Sequence, residues 1–373
     1  MKRSLLLFGL MILLTACGTV GDDDDSAPTP NPDPEWEDLS SLLEPILESE
    51  GLPALGAARV AEGITTHLGT VGLRRADSDV PVTDDDLWHL GSCTKSMTAT
   101  LVGTFVDEGL LSWESELGEL LPDLEGMHED YSVVSIEMLL SHQGGTWSSV
   151  GQHPSTWNML ASSGDVVAQR AQLTEDVLTE APEVTPGTSL VYSNAGYVIV
   201  GSILETISGD SWEALITERV FEPLGMDSCG FGVPDVAGDL SQPWGHLGLT
   251  ASNTDNPPGF GPAGTVHCSL WDWSKYAADQ VAGARGEGGL LSDTQFAQMF
   301  ADQGFGYAMG WILYDDPHFG GTALMHAGTN TMNYAEVWLV PELDGAYLAA
   351  TNSYSDSSTS IIQGVLLDLM EFE

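Results

Sequence analysis

The stretch LWHLGSCTKSMTAT, Leu87 to Thr100, places Lys95 three residues after Ser92. Only three lysines occur in 373 residues, against 55 acidic side chains, so chance pairings of lysine with serine are few. On a helix, positions i and i+3 share a face. Gly91 stands just before the serine. Met97, Leu101, Val102, Phe105 and Val106 follow at three- and four-residue steps, so a helix is predicted to begin at Ser92. The unpaired N–H groups of such a terminus favour developing negative charge. A serine hydroxyl attacks only when a base takes its proton, and a lysine amine can be that base once burial lowers its pKa. Taken alone, the pair reads equally well as a serine cap beside a solvated lysine.

Two further motifs supply matching chemistry. PGTSLVYSNAGYVIVG contains Tyr192-Ser193-Asn194. A tyrosine hydroxyl can pass a proton between nucleophile and leaving group beside a cation. The Asn194 amide can hold both a lysine and a substrate carbonyl. LMHAGTN then places His326, Gly328 and Thr329 on a predicted strand, where a glycine lets a substrate come close.

Ser-x-x-Lys, Tyr-x-Asn and a late Lys/His-x-Gly, in that order, resemble the serine β-lactamase and penicillin-binding protein superfamily. The likeness is closest to its class C-like branch of esterases, D-aminopeptidases and D-Ala-D-Ala carboxypeptidases. SIEMLLSHQGG, FEPLGMDSCGFG, GPAGTVHCSLWDWSKYAAD and FGYAMGWILYDD are similar to that branch as well, and the resemblance runs from Leu39 to Leu369. It implies a hydrolase that cleaves an ester or amide through an acyl-enzyme on Ser92, with no cofactor and no metal. Lys95 and Tyr192 would share the acid and base work, and Asn194 would position Lys95 and the substrate. The N–H groups of Ser92 and Thr329 would form the oxyanion hole. Many β-lactamases carry lysine where His326 stands. A histidine there is neutral near pH 7 unless the acidic field raises its pKa, which favours small ester, amide or peptide substrates without an essential carboxylate. A D-Ala-D-Ala carboxypeptidase or β-lactamase, and a non-catalytic binding lipoprotein with the same fold, are the alternatives. The acidic field also opposes deprotonation of Lys95, so Lys95 is expected to be well buried.

These residues need a scaffold. EWEDLSSLLEPILESEG (35–51) has helical spacing, and two short strands with a turn near Glu62-Gly63 follow. The middle of the chain, to about Trp273, mixes helices with long loops. YAMGWILYDD, TALMHAG, NYAEVWLVPE and AYLAATNS are short apolar runs split by turns, and SSTSIIQGVLLDLMEF reads as a closing helix. Strands at both ends predict an α/β (α+β) fold, with one antiparallel sheet built from both termini, helices on its faces and a mainly helical subregion. The loops 146–168 and 241–261 are expected to shape the pocket, with Trp147 or Trp157 lining it. Trp271 and Trp273 read as core, and His142 as a loop anchor.

Composition sets the surroundings. A formal charge of −45 excludes a phosphate-binding surface and with it nucleic acid as a partner. It fits either a heavily solvated surface or adaptation to high salt. Lys2, Arg3, the apolar run Ser4–Leu14 and then LTAC read as a signal peptide over residues 1–17 ending in a lipobox. Cys17 would carry the lipid anchor, fixing an exported protein to a bacterial membrane. Residues 18–34, rich in Asp and Pro, read as an extended tether rather than a calcium loop, and the hydrolase domain as 35–373. Export permits a disulfide, for which Cys229 and Cys268 are the candidates, while Cys93 reads as a packed thiol. No Gly-x-Ser-x-Gly elbow and no His-Glu-x-x-His pattern occurs, so an α/β-hydrolase and a zinc protease are disfavoured.

Overall fold

The hairpin that starts the domain follows from its turn. Ala54–Ala61 and Ile64–Gly72 are antiparallel strands joined at Glu62 and Gly63, with φ of 52° and 77°. Two consecutive residues with positive φ match the twist of the flanking strands, and glycine takes one of them without strain. The computed structural model describes residues 36–234 and 238–372. The expected signal segment, the lipid-bearing Cys17 and the tether therefore lie outside the described residues.

Seven strands form the main sheet, in the order Glu37–Asp38, Ile64–Gly72, Ala54–Ala61, Gly345–Thr351, Tyr334–Val340, Gly321–Thr329 and Ile312–Asp316. The two ends of the chain meet where Leu55–Ala61 pairs with Gly345–Thr351. All neighbours are antiparallel except the first pair. The helix expected from residue 35 starts later, at Ser40, because Glu37–Asp38 is drawn into the sheet beside His67 and Leu68.

Alternation along the strands sends side chains to two apolar layers. On one face, Leu43 of the first helix and Ile362, Val365, Leu366 and Leu369 of the Ser358–Glu371 helix pack on Leu55, Ala57, Trp338 and Ala349. On the other face lie the Leu270–Ala284 helix and the Thr94–Asp107 helix. The latter is buried on nearly every side, so it is a central post rather than a surface helix.

The helical subregion is anchored by one buried cation. Arg170 of the Val166–Leu178 helix donates to Glu205 Oε1 from Nε and Nη2, at 3.0 and 2.6 Å, and to both oxygens of Glu213. The bonds lock that helix to Asn194–Ser208 and to the Trp212–Ile216 helix. Removing one member of such a buried cluster is costly, because it strands the others without a partner. Cys229 and Cys268 are joined by a disulfide. Cys93 is a buried free thiol. Trp273 is buried in the core, while Trp271 is partly buried against Trp36, ring centroids 5.2 Å apart.

Candidate active site

Ser92 lies in a single tight turn, Gly91–Cys93, that leads into the Thr94–Asp107 helix, so the helix proper starts two residues later than expected. Gly91 holds φ at +49°, a conformation that suits glycine. A Cβ added there would overlap Thr329 N and lie 2.7 Å from Gly328 C. A Cβ on Gly328 would in turn overlap the Leu90 carbonyl and lie 2.5 Å from Ser92 N. The turn and the strand end are thus pressed together backbone to backbone. This contact brings the backbones of Ser92 and Thr329 close together, and two glycines make it possible.

Lys95 is fully buried. Its Nζ bonds to Ser92 Oγ at 3.1 Å, Asn194 Oδ1 at 2.7 Å and the Ala263 carbonyl at 2.6 Å. Burial pulls its pKa from 10.5 down to about 7, opposed only weakly by the Cys93 thiol. Loss of water outweighs the acidic surface: among the described residues the amine bonds to Ser92, Asn194 and Ala263, none of them a carboxylate. A neutral amine has two N–H donors and one lone pair. Two of its three partners are carbonyl oxygens that can only accept, so the lone pair is left facing the Ser92 hydroxyl. No side-chain cap bond involves Ser92, which sets aside the capping role.

Tyr192 and Asn194 arrive together at a helix start. Ser193, between them, caps the Asn194–Ser208 helix by accepting from Gly196 N at 3.2 Å, and it donates to the Trp147 carbonyl at 2.6 Å. The middle residue of Tyr-Ser-Asn therefore fixes the directions of its neighbours. Tyr192 is 39% exposed and walls the pocket, and its phenol group sits in an enclosed setting near Ser92. That enclosure pushes the phenol well above 10, and the nearby Ser92 side chain only partly offsets it. Tyr192 thus keeps its proton while Lys95 sheds its own. The Lys95 amine lies 4.9 Å from the Tyr192 ring centre and 5.5 Å from that of Tyr197.

His326 is buried. Its Nδ1–H donates to the Ala327 carbonyl at 2.8 Å, leaving Nε2 to accept from the Tyr307 hydroxyl at 3.1 Å. Burial first, and then Lys95, drive its pKa from 6.5 down to about 3. The possibility that the acidic field raises it is overturned: the ring is screened from the surface carboxylates by the protein around it. His326 brings no positive charge.

The cavity in front of Ser92 has a volume of about 540 Å³. Leu190, Tyr192, Phe305, Tyr307, Ile312 and Tyr334 wall it, with Ala327–Thr329 along one side and no lysine, arginine or carboxylate among the lining residues. The expected loops 146–168 and 241–261 do not line it, nor do Trp147 and Trp157. Trp147 is buried and stacked on His153, centroids 3.4 Å apart, and Trp157 meets Phe260 edge-on. The walls come instead from residues 305–312, whose glycine-flanked aromatics GFGY were a visible but unassigned signal.

Two supporting groups were not singled out for this role. His142, read as a loop anchor, holds Tyr192 from both sides: its carbonyl accepts from Val191 N at 2.8 Å and its Nδ1 from Ser193 N at 3.1 Å. Its ring lies 4.3 Å from that of Tyr192, and burial, Lys95 and His326 hold it neutral. Behind the turn, His89 Nδ1 accepts from Gly91 N at 3.1 Å, and its Nε2 lies 3.0 Å from Asp255 Oδ1. Asn330 donates to the same oxygen at 2.9 Å. Asp255, from the second of the two loops, thereby ties together the residues flanking Ser92 and Thr329. No spacing in the sequence links these three positions.

Comparison with known proteins gives concordant results. The family model described as Beta-lactamase matches residues 39–362. Penicillin-binding protein 4 of Amycolatopsis lactamdurans is 25% identical over 86% of this chain and 85% of its own. Esterase EstB of Burkholderia gladioli is 26% identical over 84% of this chain and 90% of its own. Some other relatives are matched over only 46% to 51% of their own length. Among solved structures, the octameric penicillin-binding protein homologue from Pyrococcus abyssi superposes with a TM-score of 0.73 at 23% identity, covering 89% of this chain and 77% of that one.

Proposed function

From the premise that this chain belongs to the beta-lactamase family, we propose that it is a serine hydrolase acting on neutral esters or amides through an acyl-enzyme on Ser92. The observation that carries the proposal is the contact between Ser92 Oγ and a fully buried Lys95 whose pKa lies near 7. Neutral Lys95 takes the hydroxyl proton as Ser92 Oγ attacks the substrate carbonyl. The charge on that oxygen falls between the N–H groups of Ser92 and Thr329, where each donor is worth about 3 kcal/mol of barrier. The proton returns through Lys95 or the Tyr192 phenol to the departing alkoxide or amine, and the acyl–Ser92 ester remains. Water, deprotonated by the same pair, then attacks the acyl carbon. The carboxylic acid leaves and Ser92 regains its proton.

The substrate class follows from what the cavity lacks. A carboxylate bound beside Thr329 calls for a cation, and neutral His326 offers none. Esters and amides without that group are therefore favoured over β-lactams and D-Ala-D-Ala termini. The relatives that carry the names esterase and penicillin-binding protein bracket the same choice. The location we propose, lipid-anchored through Cys17 on an exported face of a bacterial membrane, rests on the order of charge, apolar run and LTAC in the sequence. A turnover screen of short-chain p-nitrophenyl esters, D-amino-acid amides and nitrocefin, with Ser92→Ala as control, tests the assignment. Ester turnover abolished by Ser92→Ala is expected. Nitrocefin turnover exceeding that of every ester would reverse the substrate class.

A further inference from the structure

A second cavity of about 480 Å³ adjoins the catalytic one. The two share Ile312, His326, Ala327 and Tyr334 as walls. The far walls are apolar, with Phe319, Met325 and Trp338 from the sheet side and Leu367 from the C-terminal helix. Alternation along the Gly321–Thr329 strand puts Met325 and Ala327 on the face opposite His326 and Gly328. A chain attached to Ser92 must therefore cross the strand to reach this cavity. The sheet is open where it would cross. Pairing with the edge strand ends at Met325 and Ile312, so His326 to Thr329 are paired only on their other side.

The polar content is arranged against carboxylates: Asp316 and Glu336 both line the cavity, and the exposed His318 at its rim is already bonded to Asp316 Oδ1 at 2.6 Å. Buried Glu336 has its carboxylate taken by three donors: the Tyr334 hydroxyl at 3.0 Å, Trp338 Nε1 at 2.7 Å and Gln363 Nε2 at 3.2 Å. An incoming carboxylate would meet a like group and find those donors engaged. An alkyl chain loses nothing by lying along Phe319, Met325 and Trp338.

We propose that this second cavity is the subsite for an extended, uncharged acyl chain of the substrate, which leaves the Ser92 carbonyl, crosses the open strand edge at Ala327 and lies between the sheet and the C-terminal helix. The proposal rests on the acyl-enzyme assignment and adds the substrate class, medium-chain acyl esters. Burial of an alkyl chain raises kcat/KM by at most about four-fold per methylene.

The test is a series of p-nitrophenyl esters from acetate to decanoate, with the leaving group held constant. Wild-type kcat/KM is expected to climb at least 30-fold from acetate to octanoate. The half-ester of the eight-carbon dicarboxylic acid should fall at least ten-fold below octanoate. Thr359 lies on the exposed rim of the cavity, so Thr359→Trp fills it from outside, and the octanoate-to-acetate ratio should fall at least five-fold. Leu367→Gln, a second rim variant, should lower the same ratio. A flat profile in wild type, or a steep one unchanged by both variants, overturns the subsite while Ser92-dependent acetate turnover leaves the hydrolase assignment standing. Absence of turnover across the whole series, with no fluorophosphonate label, overturns both.

Discussion

Replacing Lys95 with methionine keeps the buried stem and removes the ionisable amine. In the folded protein that amine has a pKa of about 7, against 10.5 when exposed. Between those values the unfolded chain binds a proton that the native protein does not, so stability rises with pH across the window from about 7 to 10.5. Below it, protonation costs the full difference, of order 5 kcal/mol by linkage. From pH 7 to pH 9 the wild type should therefore gain about 2 kcal/mol from this group alone. Lys95→Met should lack that gain, and at pH 7 it should be more stable than wild type, less whatever is lost with the bonds to Asn194 and Ala263. Urea unfolding of both proteins at pH 7 and pH 9 measures it, because all other titrations cancel in the comparison. An equal pH dependence in the two proteins would show that the Lys95 amine is not held near neutrality, and the base assignment would go with it. The same variant should lose hydrolysis by at least about 100-fold, so the base is maintained at the expense of stability.

Further outcomes follow from the same geometry. The kcat/KM of wild type should rise through a single limb with an apparent pKa near that of Lys95, about 7, and show no fall below pH 10, since burial holds the Tyr192 phenol protonated; a descending limb near pH 8 would refute the assignment of proton donor. Gly328→Ala puts a methyl 2.5 Å from Ser92 N, and should reduce kcat about 100-fold or more by parting the oxyanion donors; single-turnover kinetics would register the loss in acylation. Arg170→Met leaves Glu205 buried without its partner and should cost about 3 kcal/mol at pH 7. Part of that loss should return at pH 5, because an unpaired buried carboxyl takes up a proton; chemical denaturation at both pH values reads it.

Much of the site was legible because covalent chemistry is local in sequence. Ser92 and Lys95 share one helical turn, and Tyr192 and Asn194 share one cap, so each half could be read from short spacing. The sheet built from both termini was legible from short apolar runs at the two ends of the chain and from turn residues such as Glu62-Gly63. The pocket walls were not. Tyr307 and Tyr334 reach it because the Gly321–Thr329 strand runs past the end of its edge neighbour, a register that no local pattern encodes. The burial of Trp147 was hidden too, since a loop tryptophan looks alike whether it stacks on His153 or faces a cleft. Lys95 was legible as well: the acidic composition opposes its deprotonation, so deep burial was expected, and the structure buries it fully.

Active-site labelling with a fluorophosphonate, followed by tryptic mass mapping, bears most directly on Ser92 as a nucleophile activated by a buried lysine. One adduct on the peptide that carries Ser92 is expected, absent in Ser92→Ala and formed at least about 100-fold more slowly in Lys95→Met. An adduct on another serine, or labelling of Ser92 at full speed without the Lys95 amine, would contradict it.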